Sequence, residues 1–194
     1  ASLYAVKVLS KSGSGFVSDI IEGVQWSIQN NMQVINMSLG TSADVQSFHD
    51  ALIDASNAGI VLVAAAGNSG PADNTVLYPA KYTEVIAVSA TGSDTNNTLA
   101  SFSSRGPEVD LAAPGVNIYS TYKGGTYKTL SGTSMAAPHV TGTAALTLAA
   151  LETTARDSNG DGTYETNGDG VWTNVEVKAV LQATADDLGV VVGK

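Results

Sequence analysis

Residues 60–66 have the sequence Ile-Val-Leu-Val-Ala-Ala-Ala, an uninterrupted apolar run that ends at Gly67. An apolar run of this length between turn residues is typical of a strand that is buried on both faces of a parallel sheet. Val34–Gly40 is a second strand candidate, and residues 44–58 between the two have the pattern of an amphipathic helix closed by Gly59. Strand, helix and strand in this order predict a right-handed crossover on a parallel sheet.

Elements of the same two kinds flank this unit. The further predicted strands and helices are a strand at Leu3–Leu9, a helix at 20–31, a strand at Val85–Ala90, and helices at 136–151 and 174–185. Ser101–Ser104 and Asp110–Gly115 are expected to be irregular extended chain. The predicted fold class is α/β, a three-layer sandwich with a mainly parallel central sheet, and such sheets bind ligands at the carboxyl ends of their strands.

Composition excludes several classes of function. The 194 residues fit one domain, and the net charge of -9 argues against a nucleic acid or an anionic membrane as partner, because both need basic patches. The chain has no cysteine, so disulfides, a thiolate nucleophile and a cysteine-based zinc site are excluded. The sequence contains no run of 18 uninterrupted apolar residues, so it predicts no membrane-spanning helix.

Gly132–Gly142 carries the strongest sign of chemistry. Gly132 permits a close backbone approach, Thr133 and Ser134 favour the start of a helix, and the following residues are almost uncharged, which predicts a helix buried on every face. A serine at such a helix start lies where free N–H groups would stabilise a developing oxyanion. The alternative is that Ser134 is an ordinary N-cap residue of a core helix.

With these segments in view, the chain resembles the subtilisin-like serine proteases over nearly its whole length. The matching segments, in unbroken order, are the opening strand, Val34–Gly40, Val63–Gly70, Tyr78–Ser89, Ala100–Gly106, Ala113–Gly115 and Gly132–Gly142. The Gly-Thr-Ser-Met-Ala-Ala-Pro-His sequence within the last segment is similar to the nucleophile signature of that family. The resemblance places residues 1–194 in one catalytic domain of a secreted, extracellular enzyme.

The resemblance implies a role for individual residues. Ser134 would be the acylated nucleophile, and the Asn68 side-chain amide and the Ser134 backbone N–H would donate to the oxyanion. Without the resemblance, Asn68 would be interpreted as a turn residue. The pocket for the residue before the cleaved bond would have two walls, formed by Ser38, Leu39 and Gly40 on one side and by Ala65, Ala66 and Gly67 on the other.

Three small residues near the start of the chain would hold the substrate backbone. Gly13, Ser14 and Gly15 would pair with an extended polypeptide substrate by strand addition. Ser69 and Leu77 are expected at the floor of the pocket, which would then be uncharged. This geometry implies endopeptidase action on flexible polypeptides, with a broad preference for large apolar residues.

A serine nucleophile also needs a general base and a carboxylate that orients the base. The chain has two histidines. His139 stands one and a half turns after Ser134 on the same helix and is expected to be structural, while His49 is expected on the surface of the amphipathic helix. The family's aspartate and histidine motifs are expected on a companion N-terminal fragment, with the sheet incomplete and the isolated chain inactive.

An acidic segment at residues 157–170 suggests a metal site. Its oxygen ligands alternate as in the first half of an EF-hand loop, and the candidate calcium ligands are Asp157, Asn159, Asp161, Thr163 and Asp169. The alternative is a flexible acidic insertion. The resemblance separately implies a weaker cation site at the backbone carbonyls of Ala80, Tyr82 and Val85, with Asp110 nearby.

Two other functions were considered. An α/β-hydrolase esterase needs its acid and its histidine after the nucleophile, and His139 is the only histidine after Ser134, so this class is excluded. A non-catalytic calcium-binding module that keeps the fold remains the alternative to a serine endopeptidase.

Overall fold

The computed structural model describes residues 1–92, 98–153 and 172–186, and the α/β class is confirmed. Its helices and strands, in chain order, are α1 (Val17–Gln29), β1 (Val34–Met37), α2 (Gln46–Asn57), β2 (Val61–Ala65), β3 (Val85–Thr91), β4 (Leu111–Pro114), β5 (Ile118–Tyr122), β6 (Thr126–Leu130), α3 (Thr133–Thr153) and α4 (Asn174–Thr184).

The central sheet has the order β1-β2-β3-β4, and every pair of neighbours is parallel. Val34 is paired with Val61 across β1 and β2, which are joined through α2, so the crossover predicted from residues 34–66 is confirmed. Because all four strands run in one direction, the loops that follow β1 and β2 leave the sheet side by side at the same edge.

The two central strands, β2 and β3, are buried on both faces, which explains why β2 is apolar at every position. Leu62 and Ala64 pack with residues of α1 and α2, whereas Val61, Val63 and Ala65 pack on the opposite face with residues of α3 and α4. Full burial of side chains of this kind stabilises a fold by about 1.5–3 kcal/mol each. The predicted three-layer sandwich is confirmed.

The strand predicted at Leu3–Leu9 is wrong, because the structure has no strand before β1. Leu3 is 95% exposed and Tyr4 61% exposed, so the apolar residues that suggested burial face solvent. The segment lies against α1 instead, where a Cβ atom on Gly23 would come within 2.8 Å of Val8 Cγ1. A strand exists only with a hydrogen-bonded neighbour, and β1 has none on its outer side in the described part of the chain.

Two extended segments were assigned incorrectly or missed. Residues 111–114, expected to be irregular, form β4 and pair with β3 in parallel. The antiparallel hairpin of β5 and β6 was not predicted, although its turn carries Gly124 and Gly125, with φ of +79° and +69°. Two glycines of positive φ between extended segments are the sequence signal of such a turn.

The expectation that α3 is buried on every face is wrong. Ala136, Ala137, Val140 and Ala144 form its buried face against the sheet, but Leu146 is 72% exposed. Small residues allow close packing on the side of α3 that faces the sheet. The opposite side carries threonine, glycine and alanine rather than charged residues, so its exposure could not be predicted from the sequence.

Candidate active site

The first turn of α3 meets the loops that follow β1 and β2 at the carboxyl end of the sheet. The contacts that join these three segments are hydrogen bonds of Ser134 to Ser38 and of Thr133 to Gly67 and Asn68. Residues separated by 65 to 96 positions in the sequence are thereby brought to one place. This is the edge at which an α/β sheet is expected to bind its ligand.

Ser134 is half-buried and is joined to Ser38 by two hydrogen bonds. Ser134 Oγ donates to Ser38 O at 3.3 Å, and Ser38 Oγ donates to Ser134 O at 2.9 Å. The Ser134 backbone N–H has no hydrogen-bond acceptor among the described residues. The long hydroxyl contact can be exchanged at little cost, so Ser134 Oγ is available for another acceptor.

Asn68 is exposed, and its side-chain oxygen is held by one residue. The Thr133 backbone N–H donates to Asn68 Oδ1 at 2.9 Å, and Thr133 Oγ1 donates to the same atom at 3.1 Å. Two donors on the oxygen leave Nδ2 as the outward group, and Nδ2 donates to nothing in the described ranges. The amide therefore presents its N–H groups beside the start of α3.

The backbone before Asn68 has a conformation that favours glycine. Gly67 has φ of +116°, and its N–H donates to Thr133 Oγ1 at 3.1 Å. A Cβ atom at Gly67 would lie 2.8 Å from Ser104 Oγ and 3.0 Å from Leu77 Cγ. Both the backbone angle and the lack of space require glycine here.

The two segments expected to form the pocket walls lie on neighbouring strand ends. Ser38 to Gly40 follow β1, while Ala65 ends β2 and continues into Ala66 and Gly67. Leu77 lies between the walls, because Cβ atoms on Gly40 and on Gly67 would each come within about 3.1 Å of it. The structure thus brings both segments together with Leu77, one of the two residues expected at the floor, and their side chains are uncharged. The other, Ser69, is exposed.

A cleft of about 380 Å³ opens on the other side of Ser134. Its lining comes from the β5–β6 hairpin and from the first turns of α3: Ile118, Tyr119, Ser120, Thr121, Tyr122, Lys128, Leu130, Ser134, Met135, Pro138 and His139. Of this set, only the four α3 residues lie in the Gly132–Gly142 segment that the sequence singled out. The hairpin residues were missed because the hairpin itself was not predicted.

Gly13, Ser14 and Gly15 lie in an exposed turn before α1. The Ser10 N–H donates to Ser14 O at 2.8 Å, which closes the turn, and a Cβ atom on Gly15 would collide with Val8 O. No hydrogen bond joins this turn to the Ser134 site within the described residues. The turn is accessible, but the structure does not bring it into contact with the nucleophile.

Neither histidine contacts Ser134. His139 is exposed, and its Nδ1 donates to Met135 O at 2.8 Å. His49 is only partly exposed, because its Nε2 lies 2.9 Å from Glu84 Oε2 and its ring stacks on Tyr82 at 4.0 Å. His49 therefore belongs to a packed side-chain cluster rather than to the open surface that the sequence suggested.

The same cluster perturbs two ionisable groups. Burial, followed by the hydrogen bond that Tyr82 donates to Asp44, raises the pKa of Tyr82 to about 12. Desolvation acts to raise the pKa of Glu84, but hydrogen bonds from its own backbone N–H, His49 and Thr83 outweigh it, and the pKa of Glu84 is lowered. These shifts lie away from Ser134 and concern stability.

The residues of the weaker cation site are placed near one another only in part. Tyr82 O already accepts from the Val85 N–H at 3.1 Å. Asp110 Oδ1 lies 2.7 Å from Lys178 Nζ, and its Oδ2 accepts from the Ala87 N–H at 3.0 Å. A cation here would meet carbonyl oxygens and a carboxylate that an ammonium already neutralises, which is a poor fit for calcium.

The candidate calcium ligands Asp157, Asn159, Asp161, Thr163 and Asp169 lie outside the described residues. Among the residues that are described, no three His, Cys, Asp or Glu side chains lie together as a metal cluster. No helix in the described ranges is long and apolar enough to span a membrane.

Comparison with known proteins identifies the family. A sequence model described as the Subtilase family matches residues 1–192. The chain belongs to the subtilase family. This confirms the resemblance found in the sequence.

Several subtilases are similar to this chain. It is 54% identical over 154 residues to subtilisin DY of Bacillus licheniformis, which covers 78% of this chain and 56% of that protein. It is 49% identical over 191 residues to subtilisin E of Bacillus subtilis (strain 168), which covers 97% of this chain and 45% of that protein. The solved structure of a cold-adapted subtilisin-like serine proteinase matches with a TM-score of 0.76 and 36% identity, covering 93% of this chain and 59% of that one. The chain thus spans about half the length of the curated relatives that it matches.

Thr133 is the main residue of this subtilase site that the sequence analysis missed. A hydroxyl residue at the start of a helix is expected to cap that helix. Thr133 Oγ1 instead bonds to Gly67 and Asn68, which are 66 and 65 positions away in the sequence. No local pattern indicates such a contact, although the adjacency of Thr133 to Ser134 could have prompted the question.

Proposed function

We propose that this chain is the nucleophile-bearing part of a serine endopeptidase of the subtilisin type. The observation that carries the proposal is the pair of Thr133 donors on Asn68 Oδ1, which aims the Asn68 N–H groups outward beside Ser134. An amide oriented in this way beside a hydroxyl is the arrangement that an acyl-transfer site needs. A serine that only caps a helix does not require an oriented side-chain amide beside it.

In the proposed reaction, Ser134 Oγ attacks the carbonyl carbon of the peptide bond and passes its proton to a general base. Asn68 Nδ2 and the Ser134 backbone N–H donate to the oxyanion as it forms. Collapse of the tetrahedral intermediate breaks the C–N bond, the base returns the proton to the leaving amine, and an acyl-enzyme remains. Water then attacks the ester by the reverse sequence of proton transfers and frees Ser134.

The base is proposed to come from a companion polypeptide with the family's aspartate and histidine motifs. Neither His49 nor His139 is hydrogen-bonded to Ser134, and one ring nitrogen of each is bonded elsewhere, His49 Nε2 to Glu84 and His139 Nδ1 to Met135 O. Without a base, a serine hydroxyl is a poor nucleophile at neutral pH, so the 194 residues alone are expected to be inactive. The cleft beside Ser134 leaves open space on the side of the β5–β6 hairpin.

The proposed preference is for large apolar residues before the cleaved bond. Gly40, Ala66 and Gly67 occupy little space in the two walls, and Leu77 supplies an apolar floor. We propose further that Gly13–Gly15 bind the extended substrate by strand addition, for which their exposure is suitable. The enzyme is proposed to be secreted and to act on polypeptides outside the cell.

Calcium is proposed as a structural cofactor. The proposed ligands are in the acidic segment 157–170, whose alternating oxygen ligands suit calcium better than the Asp110 set does. Titration with calcium during thermal melts tests this, because a bound ion raises the midpoint. An unchanged midpoint would remove the cofactor from the proposal.

The test of the proposed function is complementation. The chain is mixed with a companion polypeptide that carries the family's aspartate and histidine motifs, and peptide cleavage and organophosphate labelling are measured. Ser134→Ala should abolish both, and Asn68→Ala should lower kcat by about a hundred- to a thousandfold, a figure established on a subtilisin itself. Cleavage that persists in Ser134→Ala would overturn the proposal.

A non-catalytic calcium-binding module is the second candidate. The absence of a base in contact with Ser134 among the described residues favours it. It predicts that the mixture shows calcium-dependent stability but neither cleavage nor labelling.

A further inference from the structure

Ser104 contacts the backbone on both sides of Asn68. Its N–H donates to Gly67 O at 2.9 Å, and its Oγ accepts from the Ser69 N–H at 3.2 Å. Ser104 is fully buried, with an exposed fraction of 0%. One buried residue thus holds the two peptide groups between which the exposed Asn68 lies, Gly67 through the Ser104 backbone N–H and Ser69 through the Ser104 side chain.

Ser104 is itself tied to the centre of the sheet. Ser89 of β3 is fully buried, and its Oγ donates to Ser104 O at 2.9 Å. Phe102, two residues before Ser104, also binds the loop that carries Asn68, because the Gly70 N–H donates to Phe102 O at 2.9 Å. The loop that carries Asn68 is therefore anchored to β3, which is buried at all seven positions.

The contacts of Ser104 and of Thr133 restrain different parts of Asn68. Thr133 restrains the side-chain amide through Oδ1, but the direction of Nδ2 also depends on where the main chain holds the residue. The missing side chain of Gly67 leaves room for Ser104, because a Cβ atom there would lie 2.8 Å from Ser104 Oγ. A displacement of about 1 Å at a catalytic group can cost about a hundredfold in rate.

We propose that Ser104 is a positioning residue for the oxyanion donor Asn68, acting through the backbone of Gly67 and Ser69. This inference rests on the proposed function, in which Asn68 binds the oxyanion. Ser104 does not touch the reacting atoms. It links an exposed loop to β3, in addition to the restraints that Thr133 and Phe102 place on that loop.

The matched pair of variants is Ser104→Ala and Ser103→Ala, assayed in the complemented enzyme. Ser103 is also fully buried, and its Oγ accepts from the Ala90 N–H of β3 at 2.9 Å, so each substitution removes one acceptor from a backbone N–H. Ser104→Ala should lower kcat about tenfold with KM within about twofold, less than the hundredfold or more expected for loss of the Asn68 donor. Ser103→Ala should lower the melting temperature without lowering kcat, because its contact with Ser104 O is long, at 3.5 Å.

A double-mutant cycle separates positioning from general destabilisation. In an Asn68→Ala background the side-chain oxyanion donor is already gone and only the Ser134 backbone N–H remains, so Ser104→Ala should have less than about a twofold further effect on kcat. Coupled kcat effects together with additive effects on melting temperature would support the positioning role, since a merely structural role would not couple to Asn68 in kcat.

The outcomes distinguish the two proposals. A wild-type assembly without cleavage would overturn the proposed function. An active wild-type assembly in which Ser104→Ala and Ser103→Ala have the same kcat, or in which Ser104→Ala keeps its full effect beside Asn68→Ala, would overturn the role of Ser104 alone.

Discussion

Thr133→Val is the substitution that most directly tests how the site is held together. Valine keeps the shape of threonine and removes only the hydroxyl. Thr133 has an exposed fraction of 0%, and its Oγ1 accepts from the Gly67 N–H and donates to Asn68 Oδ1, both at 3.1 Å. The change therefore removes two hydrogen bonds without opening a cavity.

The expected loss of stability follows from what each partner keeps. The buried Gly67 N–H loses its acceptor, which costs about 1–3 kcal/mol, whereas Asn68 Oδ1 is exposed and keeps the Thr133 N–H at 2.9 Å, so that loss is about 0.5–1.5 kcal/mol. We expect a total of about 1.5–4.5 kcal/mol, less than the 5–15 kcal/mol by which a domain is usually stable, so the variant should still fold. With one of its two anchors gone, Asn68 should bind the oxyanion less well, and kcat should fall about tenfold.

Urea unfolding measures the stability of this variant, and peptide hydrolysis by the complemented enzyme measures kcat. Thr133→Ser is the control, because it keeps the hydroxyl and loses one buried methyl group, at a cost of about 1 kcal/mol. Its kcat should stay near that of the wild type. The reasoning fails if Thr133→Val keeps the wild-type kcat, or if Thr133→Ser lowers kcat as much as Thr133→Val does.

Three further predictions concern charges away from the nucleophile. Burial above all raises the pKa of Tyr82 from 10.0 to about 12, so its neutral form stabilises the fold fully below pH 10 and this contribution is lost as the pH rises through 12; absorbance titration should show one tyrosine that ionises late. Lys178→Met should cost about 1 kcal/mol in urea unfolding, because the ion pair is partly exposed, and Asp110→Ala about 2–3 kcal/mol, because Asp110 also accepts a backbone N–H; equal losses would contradict this. Desolvation acts to raise the pKa of Glu84, but hydrogen bonds lower it by more, so the folded pKa is below 4.5. The ionised Glu84 side chain therefore stabilises the fold above pH 4.5, and this contribution is lost as the pH falls through the folded pKa. Because His49 is one of the hydrogen-bond partners, the melting temperature of His49→Ala should fall less between neutral and acid pH than that of the wild type.

The parallel sheet could be predicted from the sequence because a strand that is buried on both faces is a continuous apolar run. The apolar run at residues 60–66 became β2, and the amphipathic pattern at 44–58 became α2. Leu3–Leu9 is also largely apolar, but Leu3, Tyr4 and Val6 are exposed. A strand also requires a hydrogen-bonded neighbouring strand, which the sequence of one segment does not specify. The β5–β6 hairpin has no continuous apolar run, because most of its residues are exposed.

The candidate site divides in the same way. Ser134 and Asn68 were proposed from the sequence because the segments around them resemble those of a known family, and without that resemblance Asn68 would be interpreted as a turn residue. The supporting contacts were not found, because Thr133 and Ser104 are ordinary hydroxyl residues whose partners lie 65 and 37 positions away. Nothing in a local stretch distinguishes a serine that accepts from the Ser69 N–H from one that faces water.

The sequence by itself determined the layered α/β architecture, because hydrophobic periodicity is a property of neighbouring residues. It also made Ser134 the candidate nucleophile, through the resemblance of residues 132–142 to a known family. Only the tertiary structure decided that Thr133 orients the Asn68 amide, that Leu77 lies between Gly40 and Gly67, and that Ser104 ties the loop of Asn68 to β3. These contacts depend on the packing of strand ends and a helix start from distant parts of the chain. Hydrogen-bond geometry is set by that packing at the level of tenths of an ångström, which no local pattern encodes.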